Sequence, residues 1–314
     1  MAKIKANKKK TKKKTTKSSP VKHGEKRGGK SPVVVELPDT PSELSNDMRD
    51  YSMLIHGDKK IGKTSLLAKE PGAYFLEFDP EQRALSILQT QIPDWRTFVA
   101  YLNELDARAR AGNLAYRTVV VDGVDIMYHA CFAHMCKALG IEHPHDENDY
   151  GKSWNKIKAE FERAVRQVLN LPGVSARFIC HSHWKEIKTR GGGETEKLVP
   201  ILTKQAEEVL VGLVDIWAAY TYDGKERVLV IKGDEQIGAG HRVDHRFRTP
   251  SGDLVYEIPM GGSAEQAYEN MLCAWNNEQP FADLASRDAG GEDATGKGGN
   301  ARRKVARKKK SKGK

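Results

Sequence analysis

The segment at residues 57–64 has the sequence GDKKIGKT, which matches the pattern G-x-x-x-x-G-K-[ST] at every defined position. In this pattern the glycines let backbone N–H groups approach phosphate oxygens. The lysine holds the β- and γ-phosphates, and the Ser/Thr hydroxyl binds Mg²⁺. We therefore expect a site for ATP and Mg²⁺ formed by Gly57, Asp58, Lys59, Lys60, Ile61, Gly62, Lys63, Thr64 and Ser65. The alternative is an ordinary glycine turn.

A run of three valines ends on a carboxylate at Asp122. An aspartate at the carboxyl end of a buried parallel strand faces the crevice in which a phosphate loop also lies. From there it can hold Mg²⁺ through water. We predict Thr64 and Asp122 as the metal residues, with Asp125, one helical turn on, as a second candidate.

The elements that must position these residues alternate between strand and helix patterns. Apolar or β-branched runs predict strands at residues 52–56, 73–78, 118–121, 178–180, 216–222 and 227–232. Helical spacing predicts helices at residues 64–69, 81–89, 95–111, 124–139, 154–169, 205–211 and 263–275. This order predicts an α/β protein with a doubly wound, mostly parallel sheet.

The charge of this 314-residue chain is unevenly distributed. Residues 1–32 hold thirteen Lys/Arg and one acid, and residues 287–314 hold eleven Lys/Arg and three acids, so the tails have net charges of +12 and +8. Residues 33–286 have a net charge of −10. Both tails have too little to bury to offset the entropy of ordering, so we expect disordered tails around one domain at 33–286. The tails either solubilise the chain or neutralise nucleic-acid phosphates.

Other features exclude several classes of protein. Four cysteines make no disulfide framework, and no stretch approaches the roughly 18 to 20 apolar residues of a membrane span. We expect a cytoplasmic protein. Six His and Cys residues fall at 129–145, but their spacing is poor for zinc. Cys131 and Cys136 are predicted to face the core instead.

Residues 184–200 are predicted to form a long polar loop. Its first part combines a tryptophan, three cations and three glycines. Single-stranded nucleic acid is bound by this mixture, because cations contact the backbone and a ring stacks on bases. The alternative is a solvated loop without function. The predicted DNA-binding residues are Trp184, Lys185, Lys188, Arg190 and Gly192.

Several motifs in this order resemble the short RecA-like ATPases of bacteriophages, which include single-strand annealing and recombination proteins. The resemblance covers about residues 50–260. It rests on the motif at 57–64, on YFLEFD at 74–79, on VVVD at 119–122, on GIEHP and YGKSW at 140–154, on ICHSH at 179–183 and on LVD at 213–215.

The resemblance implies a RecA-like core that hydrolyses ATP while assembled on single-stranded DNA as a ring or filament. It implies that Asp79 orients the attacking water, although glutamate is usual there; Glu81 is the alternative. It also implies that His183 senses the γ-phosphate, unless it is only a histidine bonded at a strand end. If the chain is phage-encoded, it would act in the host cytoplasm.

RecA-like ATPases are completed by a Lys or Arg from a neighbouring subunit, which offsets charge on the γ-phosphate. Lys232, Arg242 and Arg246 follow the last predicted strands, and Arg242 is the first choice among them. The alternative is ordinary surface charge. The two additional lysines at 59 and 60 stand where Pro and Gly are common, and they either bind phosphate or are simply exposed.

Together these features predict an ATP-dependent single-stranded DNA-binding protein that promotes annealing or strand exchange. Three alternatives stay open: a helicase or loader ATPase, a DNA accessory protein with a non-hydrolysing nucleotide site, and a small-molecule phosphotransferase. Ring assembly and duplex unwinding would indicate a helicase or loader. Absence of ATP turnover with single-stranded DNA would indicate an accessory protein, and turnover insensitive to DNA would indicate a phosphotransferase.

Deleting both tails should weaken binding to single-stranded DNA and flatten its salt dependence, because fewer counterions are released. The measurement is the dissociation constant across a series of salt concentrations for the full chain and the truncated chain. An unchanged slope would assign the tails to solubility.

Overall fold

The computed structural model describes residues 37–79, 83–146, 148–188 and 192–278, which divide between two compact units at Leu44 and Ser45. The described part of the first unit, residues 37–44, is exposed and contains no helix or strand. The second unit contains every element named below. The predicted tails at 1–32 and 287–314 lie outside the described residues.

Strands and helices alternate along the second unit, as the sequence predicts. The strands are β1 (Met53–Gly57), β2 (Ala73–Glu77), β3 (Leu88–Gln91), β4 (Thr118–Asp122), β5 (Ser175–Lys188), β6 (Glu194–Pro200), β7 (Ile216–Asp223), β8 (Glu226–Val230), β9 (Gly240–His241) and β10 (Glu257–Pro259). The helices are α1 (Lys63–Leu67), α2 (Trp95–Arg110), α3 (Val124–Leu139), α4 (Lys152–Leu169), α5 (Lys204–Leu213) and α6 (Ala264–Asn276).

The strands form one sheet in the order β10-β8-β7-β1-β5-β4-β2-β3, with β6 added to β5 and β9 to β7. The six strands from β7 to β3 run parallel to one another. Strand β8 pairs antiparallel with β7, and β10 pairs antiparallel with β8. The predicted α/β class with a mostly parallel sheet is therefore confirmed. Because parallel strands end at the same edge, the carboxyl ends of β1, β5, β4 and β2 come together.

Both faces of the sheet are covered, which makes the fold doubly wound. Val119 and Val121 of β4 pack into the core under α2, α3, α4 and α5. Val120 packs on the other face, in the core under α1 and α6. The helix amphipathicity read from the sequence drives this burial: Trp95, Phe98, Leu102 and Leu105 of α2 are all enclosed.

Two predictions of secondary structure were wrong. Residues 184–188 and 194–200 are strands rather than parts of a loop: β5 continues to Lys188 and pairs with β6 from Ser182↔Pro200 to Lys188↔Glu194. Their polar sequence lacks the alternation of a half-buried strand because much of this hairpin is exposed. Residues 88–91 form the edge strand β3 rather than the end of a helix, and residues 80–82 are outside the described chain. Among the described residues, no helix is long and apolar enough to cross a membrane.

His56 of β1 fixes the strand that carries the glycine-rich loop. Its imidazole is fully buried and lies 2.7 Å from Ser182 Oγ through Nδ1 and 2.7 Å from the Gly238 carbonyl oxygen through Nε2. The indole of Trp217 stacks on the ring. Burial lowers the pKa of His56 to about 4, so the imidazole is neutral at physiological pH.

The stability of the protein should depend on pH through His56. Between about pH 4 and pH 6.5 the unfolded chain binds a proton at this imidazole that the folded protein excludes. The free energy of unfolding should therefore rise with pH across this window, by about 3 kcal/mol, and reach its full value above pH 6.5. The measurement is denaturant unfolding of the parent protein and of His56→Gln at a series of pH values. An equal dependence of the free energy of unfolding on pH in the two proteins would contradict the assignment.

Candidate nucleotide site

The glycine-rich loop joins the end of β1 to the start of α1, and its two glycines are required by geometry. A Cβ at Gly57 would lie 2.2 Å from the carbonyl oxygen of Tyr220 on the neighbouring strand. Gly62, which precedes α1, has φ +112°, a conformation that L side chains rarely adopt. Arg227 braces this end of the loop, because its guanidinium donates to the carbonyl oxygens of Gly261 and Ile61.

Lys63, the first residue of α1, is buried inside the loop. Its Nζ donates to the carbonyl oxygens of Gly57 at 2.9 Å and Asp58 at 2.8 Å. Burial lowers the pKa of this ammonium group, and the nearby carboxylate of Asp122 opposes that shift. The loop therefore holds a positive charge where water is largely excluded, which strengthens its attraction for an anion.

Thr64 and Asp122 meet although they come from different parts of the chain. The Thr64 hydroxyl donates to Asp122 Oδ2 at 2.7 Å. Asp122 is the last residue of β4 and is 3% exposed. Burial raises the pKa of its carboxyl group, and the hydrogen bond from Thr64 counters this shift. A hydroxyl beside a buried carboxylate fits the oxygen ligands and water shell that Mg²⁺ prefers.

A histidine of the neighbouring strand β5 lies close to two aspartates. His181 of β5 lies beside Gly57 in the strand register. Its Nε2 is 4.0 Å from Asp79 Oδ2, and its Nδ1 is 3.5 Å from Asp125 Oδ2. Burial raises the pKa of Asp79, and its interactions with His181 and with the positive charge of Lys59 oppose this rise.

Glu77, the last residue of β2, was not identified from the sequence. It pairs with Asp122 in the strand register and is fully buried. Burial, with the charges of Asp122 and Asp79, raises the pKa of Glu77 to about 8. The one signal in the sequence was a carboxylate inside the apolar run at 73–78.

The loop and the neighbouring strand ends border a cleft of about 430 Å³ at the carboxyl edge of the sheet. Its walls include six of the predicted nucleotide-binding residues: Lys59, Lys60, Gly62, Lys63, Thr64 and Ser65. Asp79, Asp122 and His181 line it as well, and Ala84 with Leu85 gives it an apolar side. Three lysines, an apolar wall and a hydroxyl–carboxylate pair can together bind an anionic ligand with an attached cation.

The histidine of this cleft is His181, and the placement predicted for His183 needs correction. His183 pairs with Val199 in the β5–β6 hairpin, and its Nδ1 is buried without a hydrogen-bond partner in the part of the chain that is described. The prediction placed the strand at 178–180 and, from the resemblance, His183 at its tip. Because β5 continues past the loop, the residue level with Gly57 is two positions earlier.

The cations predicted to act from a neighbouring subunit do not line the cleft of their own chain. The Arg242 guanidinium donates to the carbonyl oxygen of Gly212, and its backbone N–H donates to the carbonyl oxygen of Asp215, just before β7. Arg246 bonds to Asn46 and lies over the ring of Trp275, and Lys232 is exposed. Arg242 thus lies at the edge of the sheet opposite the cleft.

The predicted DNA-binding residues that the structure describes lie on or beside the β5–β6 hairpin, and the three on β5 fall on two different faces. Trp184 is 57% exposed, and strand alternation places it with Lys188 on one face and Lys185 on the other. Lys185 is 3.8 Å from Glu207 of α5. Gly192 has φ +80° just before β6. Arg190 and the alternative water-orienting acid Glu81 lie outside the described residues.

The histidines and cysteines at 129–145 do not form a metal centre in the described chain. Cys131 and Cys136 are buried in the core under α2 to α5, as predicted, while His129, His143 and His145 are exposed. Within the described ranges, no group of three or more His, Cys, Asp or Glu is placed to hold a metal ion.

The glycine-rich loop between a central parallel strand and a helix, facing Asp122 two strands away, defines a P-loop nucleotide-binding domain. A family model described as an AAA domain matches residues 49–243, and the chain belongs to this family. The chain is also similar to the SPbeta prophage-derived uncharacterized protein YorG of Bacillus subtilis (strain 168), with 24% identity over 163 residues. That match covers 51% of this chain and 50% of the relative, so the chain spans about half the length of the curated relative it matches.

Gly57→Ala should lower the free energy of unfolding by about 1–3 kcal/mol, because the new methyl group overlaps the backbone of β7. The matched control is Gly212→Ala in α5, where a Cβ meets nothing within 4 Å. Alanine there should raise stability by roughly 0.5–1 kcal/mol. Denaturant unfolding of both variants gives the two signs, and a Gly57→Ala protein as stable as the parent would show that β1 and β7 are spaced differently.

Proposed function

We propose that this protein hydrolyses ATP with Mg²⁺ and binds single-stranded DNA, promoting annealing or strand exchange in recombination of the phage type. The observation that carries the proposal is the meeting of Lys63, Thr64 and Asp122 at one end of the sheet. AAA family membership supports nucleotide binding. The similarity to a prophage-derived protein supports the phage setting.

Five residues of the cleft have proposed roles in hydrolysis. Mg²⁺ would neutralise phosphate charge, with Thr64 and Asp122 holding it. Lys63 would exchange its carbonyl partners for the β- and γ-phosphate oxygens. Asp79 lines the cleft beside His181, where it would accept a hydrogen bond from the attacking water and orient it. His181 would take the γ-phosphate contact predicted for His183.

The β5–β6 hairpin is the proposed contact with DNA. It extends from the strand that carries His181, so the cleft and the hairpin share one element. Trp184 offers an exposed ring, and stacking on a base contributes about 1–3 kcal/mol. Lys185 and Lys188 are exposed for phosphate contacts. Such proteins assemble on DNA, so a homo-oligomer is proposed with Arg242 as the cation supplied to a neighbour.

The test is the rate of ATP hydrolysis with and without single-stranded DNA. We expect DNA to stimulate turnover in the parent protein, Lys63→Ala to abolish turnover while remaining folded, and Trp184→Ala to keep basal turnover but lose most of the stimulation. Circular dichroism and thermal unfolding verify the fold of both variants. Electron microscopy of the protein on DNA shows whether rings or filaments form.

The outcomes separate the alternatives. Unchanged hydrolysis in Lys63→Ala would refute the site, and hydrolysis insensitive to DNA favours a phosphotransferase. Binding of ATP and DNA without turnover favours an accessory protein. Rings that unwind duplexes favour a helicase or loader.

A further inference from the structure

Glu70, in the turn before β2, and Glu77, at the end of β2, are almost fully and fully buried, and their surroundings differ. Glu70 accepts from Arg177 Nε at 2.6 Å and from the Thr118 hydroxyl at 3.1 Å. Glu77 is 0% exposed, and neither of its carboxyl oxygens has a hydrogen-bond partner among the described residues. A buried carboxyl group without a donor is costly, because it has lost its water and gained nothing in exchange.

The position of Glu77 indicates what could supply the missing donors. Phe75 and Val120 pack on the α1 side of the sheet, and strand alternation places Glu77 and Asp122 on that same side. The two carboxyl groups are register partners on neighbouring strands. Asp122 already accepts the hydroxyl hydrogen of Thr64, whereas Glu77 accepts none in the described chain.

We propose that Glu77 is a second carboxylate for the Mg²⁺ of the bound nucleotide and that it accepts hydrogen bonds from water molecules coordinated to the ion. This inference rests on the proposed ATP site and adds a residue to it. Mg²⁺ retains several of its waters in protein sites, and those waters are donors that a carboxylate can accept. Carboxylates that act through bound water affect metal affinity even though they do not touch the metal.

A contact with the hydrated metal would explain why the protein contains a buried carboxyl group without a hydrogen-bond donor. If Glu77 only supported the fold, removing its carboxyl group would leave a hole or a lost contact and would destabilise the protein. If Glu77 instead serves the hydrated metal, the unpartnered carboxyl group destabilises the protein without nucleotide. A variant with an apolar residue of similar size at this position should then be at least as stable as the parent. Metal binding and stability should therefore change in opposite directions.

The experiment titrates Mg²⁺ into the full-length protein at a fixed ADP concentration, with ADP affinity in EDTA as the metal-free reference. For Glu77→Gln we expect the Mg²⁺ concentration at half-maximal effect to rise by about 10-fold or more, with ADP affinity in EDTA unchanged. Thermal unfolding of unliganded Glu77→Leu should give a melting temperature at or above that of the parent. Glu70→Gln is the matched control, and it should melt lower with no change in Mg²⁺ dependence, because its charge is paired with Arg177.

An unchanged Mg²⁺ midpoint in Glu77→Gln would overturn the inference. So would a loss of stability in Glu77→Leu comparable to that in Glu70→Gln, since it would assign Glu77 to the fold. Both results would leave ADP binding by the parent protein intact. Absence of ADP binding by the parent, with or without Mg²⁺, would instead refute the ATP site and this inference with it.

Discussion

The hydrogen bond from Thr64 to Asp122 joins the first turn of α1 to the end of β4, 58 residues further along the chain. It can form only because β1, β5 and β4 are parallel neighbours whose carboxyl ends lie at one edge. The helices on both faces of the sheet maintain that arrangement, so the packing of the core determines the geometry of the cleft. The close approach of β7 to Gly57 adds a second constraint, because it leaves no room for a side chain where the loop begins.

The two ends of the sheet treat buried charge in different ways. At the amino end, the Arg177–Glu70 pair is fully enclosed, and its remaining donors reach the backbone of Tyr51 and Met48. At the carboxyl end, burial disfavours the charged forms of Lys63, Asp79 and Asp122 together. A phosphate group with its metal would supply charges of both signs and relieve these groups at once. The buried charges at the amino end of the sheet are paired with one another, whereas those at the carboxyl end, around the cleft, have pKa values shifted toward the neutral form.

The fold and the phosphate loop could be predicted from the sequence because both depend on local signals. Helix α3 begins and ends where periodicity and Gly140 place it, and α2 is capped by Asp94 as its sequence indicates. The β5–β6 hairpin could not be predicted, since the part of it that is mostly exposed, at 184–188 and 194–197, lacks a fully buried face and therefore an apolar pattern of period two. Which of the two histidines in ICHSH lines the cleft depends on the register of β5 against β1. This register is a long-range property that the spacing within the motif does not encode. Glu77 could not be predicted as a site residue because its position there depends on its register partner Asp122 on β4, which is distant in sequence.

The hairpin changes what DNA binding would require of the protein. An unstructured loop of 17 residues would lose roughly 1–2 kcal/mol of backbone entropy per residue ordered on DNA. Strands β5 and β6 are already paired over seven residue pairs, so Trp184 and Lys188 are held on one face before any ligand arrives. That face also carries Glu186, Glu194 and Glu196, which repel phosphate. In the proposed complex with DNA, stacking on Trp184 would therefore contribute more to binding by this hairpin than its cations would, and salt should weaken that part of the interaction only slightly.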